Sequence, residues 1–463
     1  MIPRRFVSVA AGLLLAGVAG GWLPCRAAEL IPLQQGGPTA SRVNLVLLAE
    51  GYRDVERDKF VSDATKVLDG ILGAEPLRAY ARYFNGFGIF VASAESGADH
   101  PAQSVYRDTY FNSTFNSYHT ERLLTIPPND MDTDFNHGER KVYDLLAALL
   151  PEFDLAAVLV NDSEYGGSGG SVLVVSTHEK SALVATHELG HTYAHLGDEY
   201  PDPYAYPDTE EPNTTRETDR SLIKWRAWID PDTPIPTPPV IPDYEHVVGL
   251  FEGAHYHATG WYRPQYSCIM RQLSSPYCAV CSEALVLNTH RLVSTVEDAS
   301  PPTSAPVEVG GPQSFHVSLL APSPDTLTVS WRLNDVPLAP PVRDTVQLDP
   351  AQLPLETNVL VASVTDSTPL VRTDATGALV SDVKWTVIRV GSGAPWLAAV
   401  AGDGGVDLSW PVEAADAELQ AADRLVDPGW KPVDATPQKG DDGRVHVRIP
   451  ADPGMRFFRL FFP

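Results

Sequence analysis

From Ala28 to about Ser300, short apolar runs alternate with stretches of helical periodicity. Residues 45–48 form an apolar run suited to a buried strand, and Phe60, Ala64, Val67, Leu68 and Ile71 then recur at helical spacing. Residues 87–92 predict another strand. Val142, Leu145, Leu146 and Leu149 mark a helix, with a strand after it at 156–160. A glycine-rich turn at 165–170 leads into a strand at 171–176, and a helix through His187 and His191 follows. This alternation predicts an α/β (α+β) domain over residues 28–300. Residues 230–242 are dense in proline, which fits neither a helix interior nor a central strand, so they predict a long loop inside that domain.

Beyond a proline-rich linker at 301–306 the period changes to two. Leu327, Val329, Trp331 and Leu333 share one strand face, as do Val383, Trp385 and Val387. Turn residues separate these runs, so residues 307–391 predict a β-sandwich of immunoglobulin or fibronectin type. A last β module is expected over 393–463. There Val406, Leu408 and Trp410 alternate, as do Val445, Val447 and Ile449, while Phe458, Leu460 and Phe462 close the chain. No solenoid-type repeat is visible. Neither β module carries an obvious chemical motif.

Composition adds three constraints. First, 463 residues with 43% hydrophobic and 20% charged positions describe globular domains, two or three at this length. Second, Asp+Glu 59 against Lys+Arg 34 gives a net charge of -25, which disfavours nucleic acid and anionic membrane surfaces as partners. Third, Arg4 and Arg5, the apolar stretch 6–23 and small residues at Cys25 and Ala27 predict a signal peptide over 1–27. The mature chain is then expected to be secreted, periplasmic or at the cell surface, with no stable membrane insertion after cleavage. Cys268, Cys278 and Cys281 remain, and in an oxidising compartment Cys268 is expected to pair with Cys278 or Cys281. Cys278-Ala279-Val280-Cys281 has zinc-ribbon spacing, but no second such pair exists, so a structural zinc is the lesser reading.

The chemistry lies in His187-Glu188-Leu189-Gly190-His191. Histidines four residues apart share one helix face, so both imidazoles can meet one Zn2+ ion. Glu188 is then placed to reach a zinc-bound water, take its proton and pass it to a leaving amine. Alone, this pattern often marks an ordinary solvated helix. Here Val184, Ala185, Leu189, Gly190 and Tyr193 make the helix apolar enough to bury, and unpaired buried histidines would cost several kcal/mol. His195 lies another turn along, too far to ligate the same ion. A third ligand six residues after His191 would fall on Gly197, which has no side chain, leaving Asp198 and Glu199 as candidates. Gly197 is expected to end the helix in the left-handed conformation and turn Asp198 back.

The sequence resembles the bacterial IgA-peptidase-type zinc metallopeptidases. The resemblance rests on the histidine motif followed by Leu196-Gly197-Asp198-Glu199-Tyr200, and on Leu48-Ala49-Glu50-Gly51-Tyr52 and the run 160–170 before it. After it come Glu211-Pro212-Asn213, Lys224-Trp225, the run 249–254, Gly260-Trp261-Tyr262-Arg263-Pro264, Cys268-Ile269-Met270-Arg271 and Cys278-Ala279-Val280-Cys281. The resemblance implies a zincin-like catalytic domain with His187, His191 and Asp198 as zinc ligands, Glu188 as base and Met270 in a Met-turn beneath the metal. On its residues alone, Met270 reads as core filling. A protein or peptide substrate is implied, though nothing here specifies an immunoglobulin. Tyr256, His257, Tyr262 and Arg263 are candidates for stabilising the transition state. The alternative is a surface adhesion or glycan- or protein-binding protein with a scaffold zincin domain. The intact Glu188 favours the enzyme, because a retired site has no need of a base.

Overall fold

The computed structural model describes residues 28–127, 138–170, 172–202, 208–340, 342–390, 397–402, 404–424, 429–440, 442–450 and 457–462. The expected signal peptide lies outside the described residues, as does the expected junction near 391–393. Among the described residues no helix is long and apolar enough to cross a membrane. The chain divides into two compact units, one of 1–293 with 370–373, the other of 294–369 with 374–463.

The first unit is mixed α/β. Its elements run β1 (Glu29–Gln34), β2 (Val43–Glu50), α1 (Arg57–Gly73), β3 (Phe84–Phe90), α2 (Gly138–Leu149), β4 (Leu155–Val160), β5 (Gly167–Ser168), β6 (Leu173–Ser176), α3 (Ser181–Ala194), β7 (Phe251–Ala254), β8 (His257–Arg263) and α4 (Ala279–Leu292). Six strands form a sheet in the order β1-β3-β2-β4-β6-β5. The inner four are parallel, and the two edge strands run antiparallel to them. All eight residues of β2 are buried, as expected of a parallel strand covered on both faces.

One face of the sheet presents Val46, Leu48, Phe87, Ile89, Val158, Val160 and Val174 to Val142 and Leu146 of α2 and to Phe111 and Phe115. On the other face, Gly86 and Gly88 leave room for Leu68 and Phe60 of α1. Helix α3 lies on this side as well: Val184 packs over Gly167, Ala182 over Gly70, and the Tyr193 ring sits 5.9 Å from Phe84. Tyr193 then donates to Thr289 of α4 at 3.0 Å. Helix α3 is therefore held between the sheet and α4, which fixes the orientation of its histidines.

The second unit is all β. Strands β9 (Val296–Ser300), β10 (Val307–Val309), β11 (Gln313–Leu319), β12 (Leu327–Leu333), β13 (Val336–Leu338), β14 (Thr345–Leu348), β15 (Thr357–Asp366) and β16 (Val380–Arg389) form two sheets, β10-β16-β15-β12-β13 and β14-β11-β9. Side chains of both sheets enter one buried cluster, in which Trp331 stacks on Trp385 at 5.8 Å and Phe315 meets Trp385 edge-on. Further on come β17 (Ala398–Gly402), β18 (Gly405–Pro411), β19 (Glu418–Ala422), β20 (Lys431–Pro432), β21 (Gln438–Lys439), β22 (Arg444–Pro450) and β23 (Phe457–Phe461). Their sheets, β17-β18-β22-β21 and β20-β19-β23, contribute Leu408, Trp410, Leu419, Val445, Val447 and Ile449 to a second cluster.

Candidate metal centre

His187 and His191 project from one face of α3, with their Nε2 atoms 3.2 Å apart. Asp198 Oδ1 lies 3.2 Å from His187 Nε2 and 3.5 Å from His191 Nε2. The three atoms thus form a nearly equilateral triangle. A tetrahedral zinc ion with bonds of about 2.0–2.1 Å sets its ligands about 3.3–3.4 Å apart, so the triangle has the required size. Each ring is oriented through its other nitrogen, His187 Nδ1 donating to Ile269 O at 2.9 Å and His191 Nδ1 to Leu196 O at 2.7 Å. With those protons on Nδ1, the neutral rings turn their Nε2 lone pairs inward, an arrangement typical of ligating histidines. Asp198 Oδ1 is buried, and beyond the two ring nitrogens it has no hydrogen-bond partner among the described residues.

Such a group of inward-facing atoms needs a cation, either protons or a metal. Burial opposes charge on His191, yet hydrogen bonding and the charge of Asp198 outweigh it and raise the ring to about 9. His187 is raised for the same reasons. Burial pushes the Asp198 carboxyl up, but the two histidines more than reverse this and hold it well below the usual carboxylate range. The set His187, His191 and Asp198 can therefore hold a divalent cation in place of those protons.

Helix α3 ends differently from the sequence expectation. The left-handed residue is His195 (φ 53°), not Gly197, and Leu196 N donates to Gly190 O at 3.0 Å. The His195 side chain points to solvent. Gly197 has another purpose: a Cβ there would sit 2.5 Å from Glu211 Oε2. Asn213 brackets this glycine, accepting from Gly197 N at 2.7 Å and donating to Gly197 O at 2.8 Å. The Glu211-Pro212-Asn213 segment thereby holds Asp198 against the helix.

A hairpin secures the loop from its other side. Strands β7 and β8 meet at the two-residue turn His255-Tyr256, with φ of 48° and 63°. Non-glycine residues enter that region uncommonly, at a cost of order 1–3 kcal/mol each. Backbone pairing offsets the strain: His255 N donates to Asp198 O at 2.8 Å, Tyr256 N to Tyr200 O at 3.0 Å, and Asp202 N to Tyr256 O at 2.9 Å. The turn aims the Tyr256 hydroxyl at Asp198 Oδ2, to which it donates. Of the four residues considered for the transition state, Tyr256 makes this contact. The His257 ring stacks near Trp261, Tyr262 pairs through its backbone with Thr215, and Arg263 donates to Glu252 O and Gly253 O.

Glu188 is half-buried on α3. Its Oε2 occupies the space that a side chain at Gly169 would need, so the glycine-rich turn forms one wall around the carboxylate. Burial raises the Glu188 pKa, with His187 and His191 partly opposing it and Asp198 adding to it. Beneath the helix, Met270 Sδ lies 2.7 Å from where a Cβ on Gly190 would stand. Met270 is fully buried, and its carbonyl accepts from Glu199 N at 2.9 Å.

The cysteines depart from the expected disulfide. All three are free and buried, with Cys268 Sγ and Cys281 Sγ 3.7 Å apart. A disulfide would need about 2.05 Å. The roles of Asn213, Glu211 and Gly169 were not legible in the sequence, since each acts through a contact distant in the chain. A family model described as IgA Peptidase M64 matches residues 31–245 and 241–288, more than half of the chain. No curated protein matches the sequence.

Proposed function

The chain belongs to the IgA peptidase M64 family, and from that premise we propose that it is a secreted zinc endopeptidase with Glu188 as general base. Membership makes it a peptidase, a hydrolase of protein or peptide substrates. One observation carries the finer reading: His187, His191 and Asp198 turn three ligand atoms together at tetrahedral zinc spacing, beside the half-buried carboxylate of Glu188. The mixed α/β unit and the packing of Met270 under Gly190 support a zincin-like fold with a Met-turn. The two buried clusters of the second unit support two sandwich-like modules, near 307–391 and 393–463.

When bound there, zinc would supply Lewis acidity, drawing the pKa of a coordinated water down to about 7. Glu188 takes the proton of the attacking water and delivers it to the leaving amine. Its burial favours this, because a base with a raised pKa holds the proton long enough to pass it on. Tyr256 fixes Asp198 through its hydroxyl, and the carbonyls of Ile269 and Leu196 fix the two rings. Burial and the charge of Asp198 keep the nearby Tyr200 phenol protonated, and therefore a donor.

His187→Ala and His191→Ala, each tested in the mature protein, should lose about one zinc ion per chain and peptide cleavage together. Zinc content unchanged in both would show that the histidines are not ligands.

A further inference from the structure

We propose a second metal site in this protein, a structural zinc held by Cys268, Cys278, Cys281 and Glu199. One ligand atom from each of these four residues lies within 4.8 Å of the others, and all four are buried. The residues come from three segments: the loop after α3, the turn containing Met270, and the start of α4. The spacing again fits one ion. Zinc–sulfur bonds of about 2.3 Å in a tetrahedron put sulfurs about 3.8 Å apart, and sulfur and carboxylate oxygen about 3.6 Å apart. Cys268 Sγ and Cys281 Sγ are 3.7 Å apart, and Cys281 Sγ is 3.5 Å from Glu199 Oε1.

Two independent features point to a cation. Glu199 is completely buried, and its Oε2 has no hydrogen-bond partner among the described residues. A carboxylate so placed is costly unless a positive charge meets it. Backbone N–H groups also aim at the sulfurs, Cys278 N at Cys268 Sγ (3.3 Å) and Cys281 N at Cys278 Sγ (3.5 Å). Such donors favour thiolates, and Cys278 additionally caps the N-terminus of α4, where negative charge is stabilised. Asn213 Nδ2 donates to Glu199 Oε1 at 2.9 Å and orients the carboxylate. Three thiolates and a borderline-soft tetrahedral geometry select zinc over calcium or magnesium.

The site would act as a clasp for the histidine centre. Glu199 follows Asp198 directly, and Cys268 precedes Ile269, whose carbonyl orients His187. Glu199 N is already bonded to Met270 O at 2.9 Å. Zinc there would lock the loop bearing Asp198 to the turn beneath α3.

The test uses mature full-length protein purified without chelator. Wild type should hold about two zinc ions per chain, and the His187→Ala/His191→Ala double variant about one. After cobalt exchange, both should show an intense thiolate-to-cobalt charge-transfer absorption in the near ultraviolet. That band does not depend on the histidines, so it reports the cysteine site even if the catalytic reading fails. Cys281→Ser should remove it. Absence of the band from cobalt-loaded wild type would overturn the proposal, and so would a Cys268–Cys281 disulfide in the intact mass of the zinc-loaded protein.

Discussion

The Tyr256 hydroxyl donates to Asp198 Oδ2, and the chain accepts two left-handed non-glycine residues to place it. Partners that orient a metal ligand typically change metal affinity 10–100-fold when removed. Tyr256→Phe should therefore weaken zinc binding about 10–100-fold in a chelator competition, with the fold intact by circular dichroism. An unchanged affinity would make the contact incidental. Gly169 lies against the proposed base rather than the proposed metal ligands. Since Glu188 Oε2 fills the place of its missing side chain, Gly169→Ala should displace the carboxylate without opening the core. A displacement of about 1 Å at a catalytic group can cost about 100-fold, so kcat should fall by about that factor while zinc content holds. Wild-type kcat in Gly169→Ala would mean that Glu188 is not confined there. At this scale the sequence was legible where chemistry is local. The i, i+4 histidines and the carboxylate seven residues beyond His191 follow from spacing and from the family resemblance. Asn213 and Glu211 were recognisable as a motif, but their task emerges only when the fold brings them to Gly197.

Helix α3 combines two demands, a buried apolar surface and a polar face for a metal. Gly190 reconciles them by admitting Met270 from below. On an open helix Gly→Ala stabilises by about 1 kcal/mol, but overpacking a filled core costs about 1–3 kcal/mol. Gly190→Ala should accordingly lower Tm and loosen zinc; a raised Tm in thermal melts would contradict the packing. The same element scale explains which parts of the fold could be read in advance. Strands β2, β4 and β6 and helices α1 and α2 announced themselves through apolar period. The β7–β8 hairpin did not, because His255-Tyr256 lacks the Asn-Gly or Asp-Gly chemistry that signals such a turn. Helix α4 was also hidden, since it buries Ser282, Glu283 and Thr289 among its apolar residues and shows no clean stripe. Three cysteines pointed to a disulfide, whereas the fold adds Glu199 and makes a four-residue cluster.

For the whole molecule, the first unit includes Leu370–Thr373, a segment far along the chain. Within that unit, Arg372 N and Thr373 N donate to Glu283 Oε1 at 2.6 and 2.7 Å, and the Arg372 guanidinium lies 4.4 Å over the Trp228 ring. A chain ending near Ser300 lacks these partners of a buried carboxylate, each worth about 1.5–3 kcal/mol. It should still bind zinc and cleave small unstructured peptides at close to the full-length rate, but with Tm lowered by roughly 5–10 °C. A folded but inert product would show that residues beyond 300 contribute to the active site. The β modules would then do more than raise the local concentration of large or anchored substrates. All of this rests on Glu188 activating water without holding the metal, and Glu188→Gln tests that most directly. Zinc content and cleavage of an unstructured peptide library should be measured side by side in wild type and variant. Zinc should be equal in both and the rate lowered at least about 100-fold in Glu188→Gln; cleavage near the wild-type rate with zinc retained would show that Glu188 is not the base.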